Sequence, residues 1–276
     1  MLQTSWLDTN IRLRLYLGLT LLLLLLAFAA PYLTPHDPYL QQLDLALQAP
    51  SIDYPFGTDR YGRCVFSRVL AGAQTSIFAT LALVTITCSS GTAVGLCCGY
   101  YGGKIDNFVM RLTDIFLAFP GLVFAIALAS ILGGGITNAV LALAVISWPK
   151  YARLARSQVI TVKEQPYIAA ARFSGCNDRE IIINHILPAA VSPLLLMAAM
   201  DLGTMLIELA GLSFLGLSAQ PPAAEWGAMM SSGRSMLQTA PWVILAPGCA
   251  IFLTVSCFNL LGDNLRDLLD PKYTPK

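Results

Sequence analysis

Two stretches of this 276-residue sequence, 69–103 and 115–149, contain no charged residue at all. The hydrocarbon core of a bilayer takes about 20 apolar residues to cross as a helix, and backbone polar groups inside it must bond to one another. Charged residues make up 12% of the chain, against about 25% in an ordinary soluble domain, and 56% are hydrophobic. The sequence therefore predicts an all-α membrane protein. It excludes a disordered chain and, with a net charge of +1, a basic nucleic-acid binder.

About six membrane-spanning helices account for the apolar stretches. The run 115–149 is too long for one ordinary span, and the three glycines at 133–135 divide it between two. The expected spans are 15–30, one within 69–103, 109–132, 136–155, 188–209 and 241–261. The first of these has some features of a signal peptide, but its apolar run is long for one and Pro31 adjoins any cleavage point. We therefore favour an uncleaved first span.

The basic residues lie mostly on one side of these spans. Loops on the cytoplasmic side of a membrane protein carry an excess of Lys and Arg. With the N-terminus inside, thirteen of the seventeen basic residues are cytoplasmic. The external four are Arg60, Arg63, Arg68 and Arg234. We therefore expect a multi-pass protein with both termini in the cytoplasm.

The cytoplasmic connection 157–188 is longer than two adjacent helices need, and it has a pattern of its own. Pro166 can start a helix, residues 167–174 favour one, and Gly175 supplies a left-handed stop. Asn177 and Glu180 form a capping-box pattern, which predicts a second helix over 178–187 that ends at Pro188. Such a hairpin suits either a membrane surface or the docking of a cytoplasmic partner, and the pattern leaves both open.

Ordered motifs along nearly the whole chain resemble the permease subunits of ABC importers, in particular their dipeptide, oligopeptide and nickel branch. The segment YIAAARFSG at 167–175, followed by HILP at 185–188, resembles the cytoplasmic EAA motif of those subunits. Other matching residues are FGTD, GR and SR within 56–68, GGKID to AFP within 102–120, WPKYAR at 148–153, Glu208 with LSFLG up to 216, PP and WG within 221–227, and FNL, GD, LRD and DP within 258–271. Ala169 departs from the motif, which usually has Glu there, and Cys64 stands where the branch often has Asp.

The resemblance implies the transmembrane domain of a type I ABC importer in a bacterial inner membrane. It implies a second, similar permease, two ATP-binding subunits and an external substrate-binding protein as partners. The residues expected to couple the hairpin to the ATP-binding subunits are Ala169, Ala170, Ala171, Arg172, Gly175, Asp178, Glu180, Leu187 and Pro188. With Ala at 169, the polar contacts are expected from Arg172, Asp178 or Glu180. The predicted division is an N-terminal span with its external loop, 1–68, and a five-span core permease domain, 69–276.

The sequence lacks the motifs of a catalyst. A Walker A loop needs GxxxxGK[ST], and the nearest segment, which ends in Gly103-Lys104, fails at both ends. GxSxG and HExxH are also missing from the chain. We therefore expect no enzymatic activity and no directly bound cofactor or metal, with ATP and magnesium held by the partner subunits.

Asp201 and Glu208 lie seven residues apart on one face of the fifth span. Ionisable groups at membrane depth are costly and face a cavity or a partner, so both are candidates for the pathway. Pairing of Asp201 with a neighbouring helix and a structural hydrogen-bonding role for Glu208 remain open. A pathway carboxylate suits a cation or a metal chelate, and the resemblance implies an importer of nickel, a metal chelate or short peptides. Peptide rather than nickel transport is the alternative, while an ATPase-independent channel, a secondary transporter and an intramembrane enzyme are less favoured.

Two further features allow two interpretations each. Glycine recurs every fourth residue from Gly91 to Gly99, and this ridge suits close packing within the chain or, less favoured, against the partner permease. Arg60, Arg63 and Arg68 suit acidic groups on a binding protein, or internal ion pairs and the membrane surface, which we favour slightly.

Overall fold

The computed structural model describes residues 2–269, with side chains over 11–268, and no strand occurs in that range. The helices are α1 Leu2–Leu33, α2 Val65–Tyr101, α3 Gly103–Ala118, α4 Gly121–Ile131, α5 Ile136–Lys163, α6 Pro166–Phe173, α7 Asp178–Ile181, α8 Leu187–Phe214, α9 Trp226–Gly233 and α10 Trp242–Leu269. A π turn, Ile182–Ile186, joins α7 to α8. The all-α prediction is confirmed over these residues. Asp270 and Pro271 of the last motif, and Lys272 and Lys276 of the charge pattern, lie outside them.

Four helical stretches of the described chain are long and apolar enough to cross a membrane. They are Ile11–Leu33, Val65–Tyr101, Asp178–Phe214 and Trp242–Leu268. The pair α3 and α4 would make a fifth. The expected span 136–155 lies within α5, which is not in this set and carries four basic residues in its second half. The described helices therefore give four or five spans by length and composition, against the expected six.

The expected third span, 109–132, is wrong as a single helix. Its place is taken by α3 and α4, which bend by 95° at a break between them. Pro120 restricts the residue before it to extended backbone, and Phe119 has φ −92° and ψ 148°. A continuous α-helix cannot pass through that conformation. The chain therefore turns sharply here and opens a space between α3, α4 and α5.

The two long helices α2 and α5 pack with their backbones in close contact. A methyl group added at Gly91 would lie 2.5 Å from the carbonyl oxygen of Trp148, and one at Gly95 would lie 2.3 Å from that of Ala152. At Gly99 the methyl would meet the side chain of Val159 at 2.7 Å. The glycine ridge therefore packs within the chain, as favoured, and the alternative of a contact with the partner permease is wrong for this face.

The first helix lies at the outside of the bundle, against α2 and α10. Its small residues Ala27 and Ala30 are fully buried, whereas most of its leucines are exposed, as expected for a face that meets lipid. The proposed division of the chain at residue 68 is not decided by this arrangement and stays a prediction.

The external loop before α2 is held by a buried ion-pair network. Asp59 accepts a hydrogen bond from Nε of Arg63 at 2.7 Å, and Nε of Arg68 lies 3.7 Å from the same carboxylate. Arg68 also donates to the carbonyl oxygen of Pro38 at 2.8 Å. Both arginines are only 5% exposed. The favoured interpretation as internal ion pairs is confirmed for these two, and the suggested contact with a binding protein is wrong for them; Arg60 is exposed.

Candidate functional site

The cytoplasmic hairpin has the predicted helix–glycine–helix form. Gly175 adopts φ +89°. Its N–H bonds to the carbonyl oxygen of Arg172, and the next N–H bonds to that of Ala171, which together make a Schellman motif. The capping box is complete, because Asn177 accepts from the N–H of Glu180 at 2.9 Å and Glu180 accepts from that of Asn177 at 2.8 Å. The turn between α6 and α7 is therefore stabilised from both sides.

The expected end of the second hairpin helix at Pro188 is wrong. Residues Asp178–Phe214 form one continuous helical stretch of 37 residues. Pro188 has no N–H to donate, and its ring would clash with the carbonyl four residues earlier in an unbroken α-helix. The N–H of Leu187 bonds instead to the carbonyl oxygen of Ile182, five residues back, so a π turn widens the helix before the proline. The second half of the hairpin is therefore the N-terminal end of the same helix that carries Asp201 and Glu208.

The inner face of the hairpin is apolar and lies on the C-terminal ends of α2 and α5. Ile168, Ile181 and Ile186 are at most 2% exposed. They pack in one cluster with Leu96, Tyr100, Val159 and Val162. The buried isoleucines are therefore covered by the protein itself and not by lipid, which favours a docking element over a hairpin that lies on the membrane.

Tyr100, at the end of α2, holds the hairpin by its hydroxyl group. The hydroxyl donates to Oδ1 of Asp178 at 2.5 Å and accepts from Arg172 at 3.1 Å. The backbone carbonyl oxygen of the same residue accepts from Nζ of Lys163 at 2.5 Å. The side chains of Arg172 and Asp178 are exposed, and both also form a hydrogen bond with Tyr100 of the same chain. Sequence analysis missed Tyr100, because its partners lie 72 and 78 residues away and an aromatic residue at the end of an apolar run is common at membrane interfaces.

The outer face of the hairpin presents small and apolar side chains to solvent. Ala169 and Ala170 are exposed, and Ala171 is half-buried. Phe173 is 92% exposed, although it is a large aromatic side chain. Glu180 is exposed, but its carboxylate is engaged in the capping box. An exposed apolar side chain, Ala169, therefore stands where the family motif usually has Glu. The exposed Phe173 adds to this apolar surface, and sequence analysis had not singled it out.

The remaining coupling candidates lie where the hairpin enters α8. Leu187 is half-buried and joins the apolar cluster under the hairpin, while Pro188 is exposed. Both residues lie at the start of α8, where the hairpin joins the long helix.

Asp201 pairs with the neighbouring helix, which is one of the two interpretations left open for it. Its Oδ2 lies 2.7 Å from Nζ of Lys150 and accepts a hydrogen bond of 2.7 Å from the hydroxyl of Tyr151. Both partners lie on α5. Within the chain, Lys150 therefore neutralises the charge of Asp201, and the hydroxyl of Tyr151 donates a hydrogen bond to it.

Glu208 has different surroundings from Asp201. It is half-buried, and within the described residues no hydrogen bond or ion pair to its carboxylate is present. It lines a cavity of about 250 Å³ at the bend between α3 and α4. The cavity is lined by Phe116, Leu117, Phe119, Gly121, Leu143, Ile146, Ser147, Lys150 and Glu208. The two acidic candidates share a helix, but only Glu208 faces this space.

Ion pairs also fix α3 on α5. Arg156 donates to both carboxylate oxygens of Asp106, at 2.6 and 2.7 Å, and Asp106 is buried. Arg153, about one turn before Arg156 on α5, pairs with Asp114, about two turns after Asp106 on α3. Two of the four basic residues of α5, Arg153 and Arg156, are therefore paired with α3, while Lys150 and Lys163 contact α8 and α2.

Residues 91–275 match a family described as binding-protein-dependent transport system inner membrane component. A dipeptide transport system permease protein of Alkalihalophilus pseudofirmus is 44% identical over 247 residues, which cover 90% of this chain and 81% of that protein. A glutathione transport system permease protein of Pectobacterium atrosepticum is 46% identical over 249 residues, 90% of this chain and 82% of that protein.

Solved structures show the same fold at lower identity. A chain of an amino acid ABC transporter with histidines has a TM-score of 0.56 at 20% identity, over 74% of this chain and 95% of that one. A chain of a methionine ABC transporter in an inward-facing conformation has a TM-score of 0.52 at 22% identity, over 72% and 94%. The expected transmembrane fold is thereby confirmed.

Proposed function

Because this chain belongs to the family of binding-protein-dependent transport system inner membrane components, in the branch of peptide, oligopeptide and nickel ABC permeases, we propose that it forms half of the pathway of an ATP-driven importer for short peptides. The other half is a second, similar permease. Two ATP-binding subunits hold ATP and magnesium, and an external protein delivers the substrate. The importer lies in a bacterial cytoplasmic membrane with both termini of this chain inside.

The observation that carries the proposal is the unbroken helical stretch Asp178–Phe214. At 1.5 Å per residue it is about 55 Å long, enough to reach from the cytoplasmic surface through the membrane. It joins the exposed hairpin to the part of α8 that carries Asp201 and Glu208. A displacement of the hairpin by an ATP-binding subunit therefore moves the pathway wall directly, and alternating access follows from that movement.

The hairpin residues have separate roles in this proposal. Ala169, Ala170 and Phe173 form the surface that an ATP-binding subunit contacts. Arg172 and Asp178 hold the hairpin on Tyr100, as their hydrogen bonds support. A further set of residues determines the shape of the hairpin and its junction with α8: Ala171, Gly175, Glu180, Leu187 and Pro188. A contact through small residues and one aromatic side chain replaces the carboxylate contact that the motif usually provides.

Short peptides are the proposed cargo because the relatives named above are permeases for a dipeptide and for glutathione, a tripeptide. Nickel has no comparable support among those relatives. Within the described residues no group of three or more His, Cys, Asp or Glu side chains is arranged to hold a metal ion.

The test is uptake by the complete importer in proteoliposomes. Radiolabelled dipeptide, glutathione and nickel are added outside with the binding protein, and ATP is supplied on the side of the ATP-binding subunits. We expect peptide uptake that requires ATP and both ATP-binding subunits. Uptake without those subunits would indicate a channel or a secondary transporter, and uptake of nickel alone would refute the peptide proposal. Protease access to a C-terminal tag from the ATP side alone would support the orientation.

A further inference from the structure

Three ionisable side chains lie in the middle of the bundle, and only two of them neutralise each other. Asp201 and Lys150 form a close ion pair, and the hydroxyl of Tyr151 supplies Asp201 with a further donor. Tyr151 is fully buried, so this arrangement is shielded from solvent. Among the described residues the carboxyl group of Glu208 has no hydrogen-bond or ion-pair partner, whereas Lys150 is paired with Asp201.

The position of Glu208 makes that anion available to a ligand. It borders the cavity at the bend of α3 and α4, whose other walls are aromatic and aliphatic side chains with two polar groups, the hydroxyl of Ser147 and the ammonium group of Lys150. Small-molecule sites in proteins have this composition, with apolar walls and a few polar groups that orient the ligand. A carboxylate at membrane depth is costly, and such groups commonly mark substrate pathways.

We propose that Glu208 is the group in the pathway that binds the free α-ammonium group of a peptide in transit, a proposal that rests on the proposed peptide-import function. Lys150 lies on the same cavity and retains N–H donors beyond the one that Asp201 accepts. It is placed to accommodate the carboxylate end of a short peptide. The aromatic walls, Phe116 and Phe119, accept side chains of varied size.

The ion pair with Asp201 has a role in this arrangement. A lysine without that partner would be attracted to Glu208 and would neutralise it. Since Asp201 holds Lys150 at 2.7 Å, the two charges of the cavity stay separate and face the ligand. A zwitterionic peptide therefore meets an anion and a cation on one wall, whereas a divalent metal ion meets one carboxylate and a repelling ammonium group.

The experiment uses the complete reconstituted importer with a radiolabelled dipeptide that has a free amino group. Glu208→Gln keeps the shape of the side chain, removes its charge and replaces one acceptor oxygen by an N–H donor group. We expect peptide imported per ATP hydrolysed to fall about 10-fold, as for the loss of one charge-assisted hydrogen bond. ATP hydrolysis stimulated by the loaded binding protein stays within about twofold. Glu208→Asp, which keeps the charge, should recover at least half of the uptake.

Two further variants separate this role from a structural one. Asp263→Asn removes an exposed carboxylate of α10 outside the cavity and is the matched control. Ser147→Phe fills the cavity without altering Glu208, so it should also reduce uptake per ATP. Assembly of each complex is checked by gel filtration. If Glu208→Gln fails to assemble, Ser147→Phe provides the test of the cavity.

The outcomes are distinct. A wild-type importer that takes up no peptide refutes the proposed function. Wild-type uptake with unchanged uptake in both Glu208→Gln and Ser147→Phe refutes the ammonium site alone. A loss of uptake and of ATP hydrolysis in equal proportion in Glu208→Gln also overturns it, because that result indicates a general effect on coupling.

Discussion

Replacement of Tyr100 by Phe removes one oxygen atom from beneath the cytoplasmic hairpin and leaves the aromatic ring in place. The hydroxyl makes two hydrogen bonds to charged side chains, one donated to Asp178 and one accepted from Arg172. The ring itself is 4% exposed and remains packed with the isoleucines of the hairpin. The substitution therefore removes the polar contacts that hold the hairpin. It leaves no cavity in the apolar cluster beneath the hairpin, because the ring stays in place.

The magnitude follows from the two bonds. A hydrogen bond to a charged partner contributes about 1.5–3 kcal/mol when it is buried. Both charged partners here are exposed, so solvent screens each interaction to about 1 kcal/mol. A total of about 2 kcal/mol corresponds to a roughly 30-fold rise in the undocked population of the hairpin.

Hydrogen exchange on the complete importer measures this population directly. Amide protons of α6 and α7 should exchange up to about 30-fold faster in Tyr100→Phe, whereas those in the middle of α2 should not change. Peptide imported per ATP hydrolysed should fall as well, because a loosely held hairpin moves without α8. The matched control is Tyr101→Phe, since the Tyr101 side chain is 65% exposed and no described residue bonds its hydroxyl.

One result would refute this reasoning. If exchange in α6 and α7 is the same in Tyr100→Phe and in Tyr101→Phe, the hydroxyl does not hold the hairpin. The apolar cluster and the continuity with α8 would then be sufficient, and the roles proposed for Arg172 and Asp178 would have to be assigned to the ATP-binding subunit.

Three other substitutions test the fold around the site. Gly95→Ala places a methyl group 2.3 Å from the carbonyl oxygen of Ala152, so the free energy of unfolding in detergent should fall by about 1–3 kcal/mol, measured as a lower thermal midpoint. Asp59→Asn leaves two buried arginines without a counter-charge, and we expect a loss of about 3–5 kcal/mol, seen as faster proteolysis of the external loop. Gly175→Val forces a β-branched residue into a left-handed turn at about 1–2 kcal/mol or more, so substrate-stimulated ATP hydrolysis should fall while membrane insertion stays intact.

Each of these has a control within the chain. Gly18→Ala lies on α1 with no described atom within 4 Å of the new methyl, so its thermal midpoint should not fall. Asp53→Asn alters an exposed acid of the same external loop, and proteolysis should stay at the wild-type rate. Gly175→Asn should retain more coupling than the valine variant, because asparagine tolerates the left-handed conformation. Equal effects in a variant and its control would contradict the contact assigned to that residue.

The hairpin could be predicted in detail because its signals are local. Pro166, Gly175, Asn177 and Glu180 act on residues at most five positions away, through backbone conformation and capping. The third span was mispredicted although its signal is also local. Pro120 breaks that helix, whereas the predicted interruption of this apolar run lies at the three glycines that follow it.

Continuity past Pro188 was not predictable from the proline rule alone. A proline ends a helix only if the helix keeps its α pattern, and one extra residue in a π turn removes the clash. Which of these occurs depends on whether the segment on both sides is packed. Here Ile181 and Ile186 are fully buried against α2 and α5, and that packing keeps the two parts in line.

The sequence by itself determined that this chain spans a membrane, where the hairpin lies and to which family of permeases it is similar, because apolar run length, turn residues and motifs act along the chain. Only the tertiary structure decided which charges meet. Asp201 joins Lys150 across 51 residues, Tyr100 joins Asp178 across 78, and Glu208 is left facing a cavity. The physical reason is that a charge in a low-dielectric bundle takes its partner from whichever helix lies beside it, and helix packing sets that neighbour.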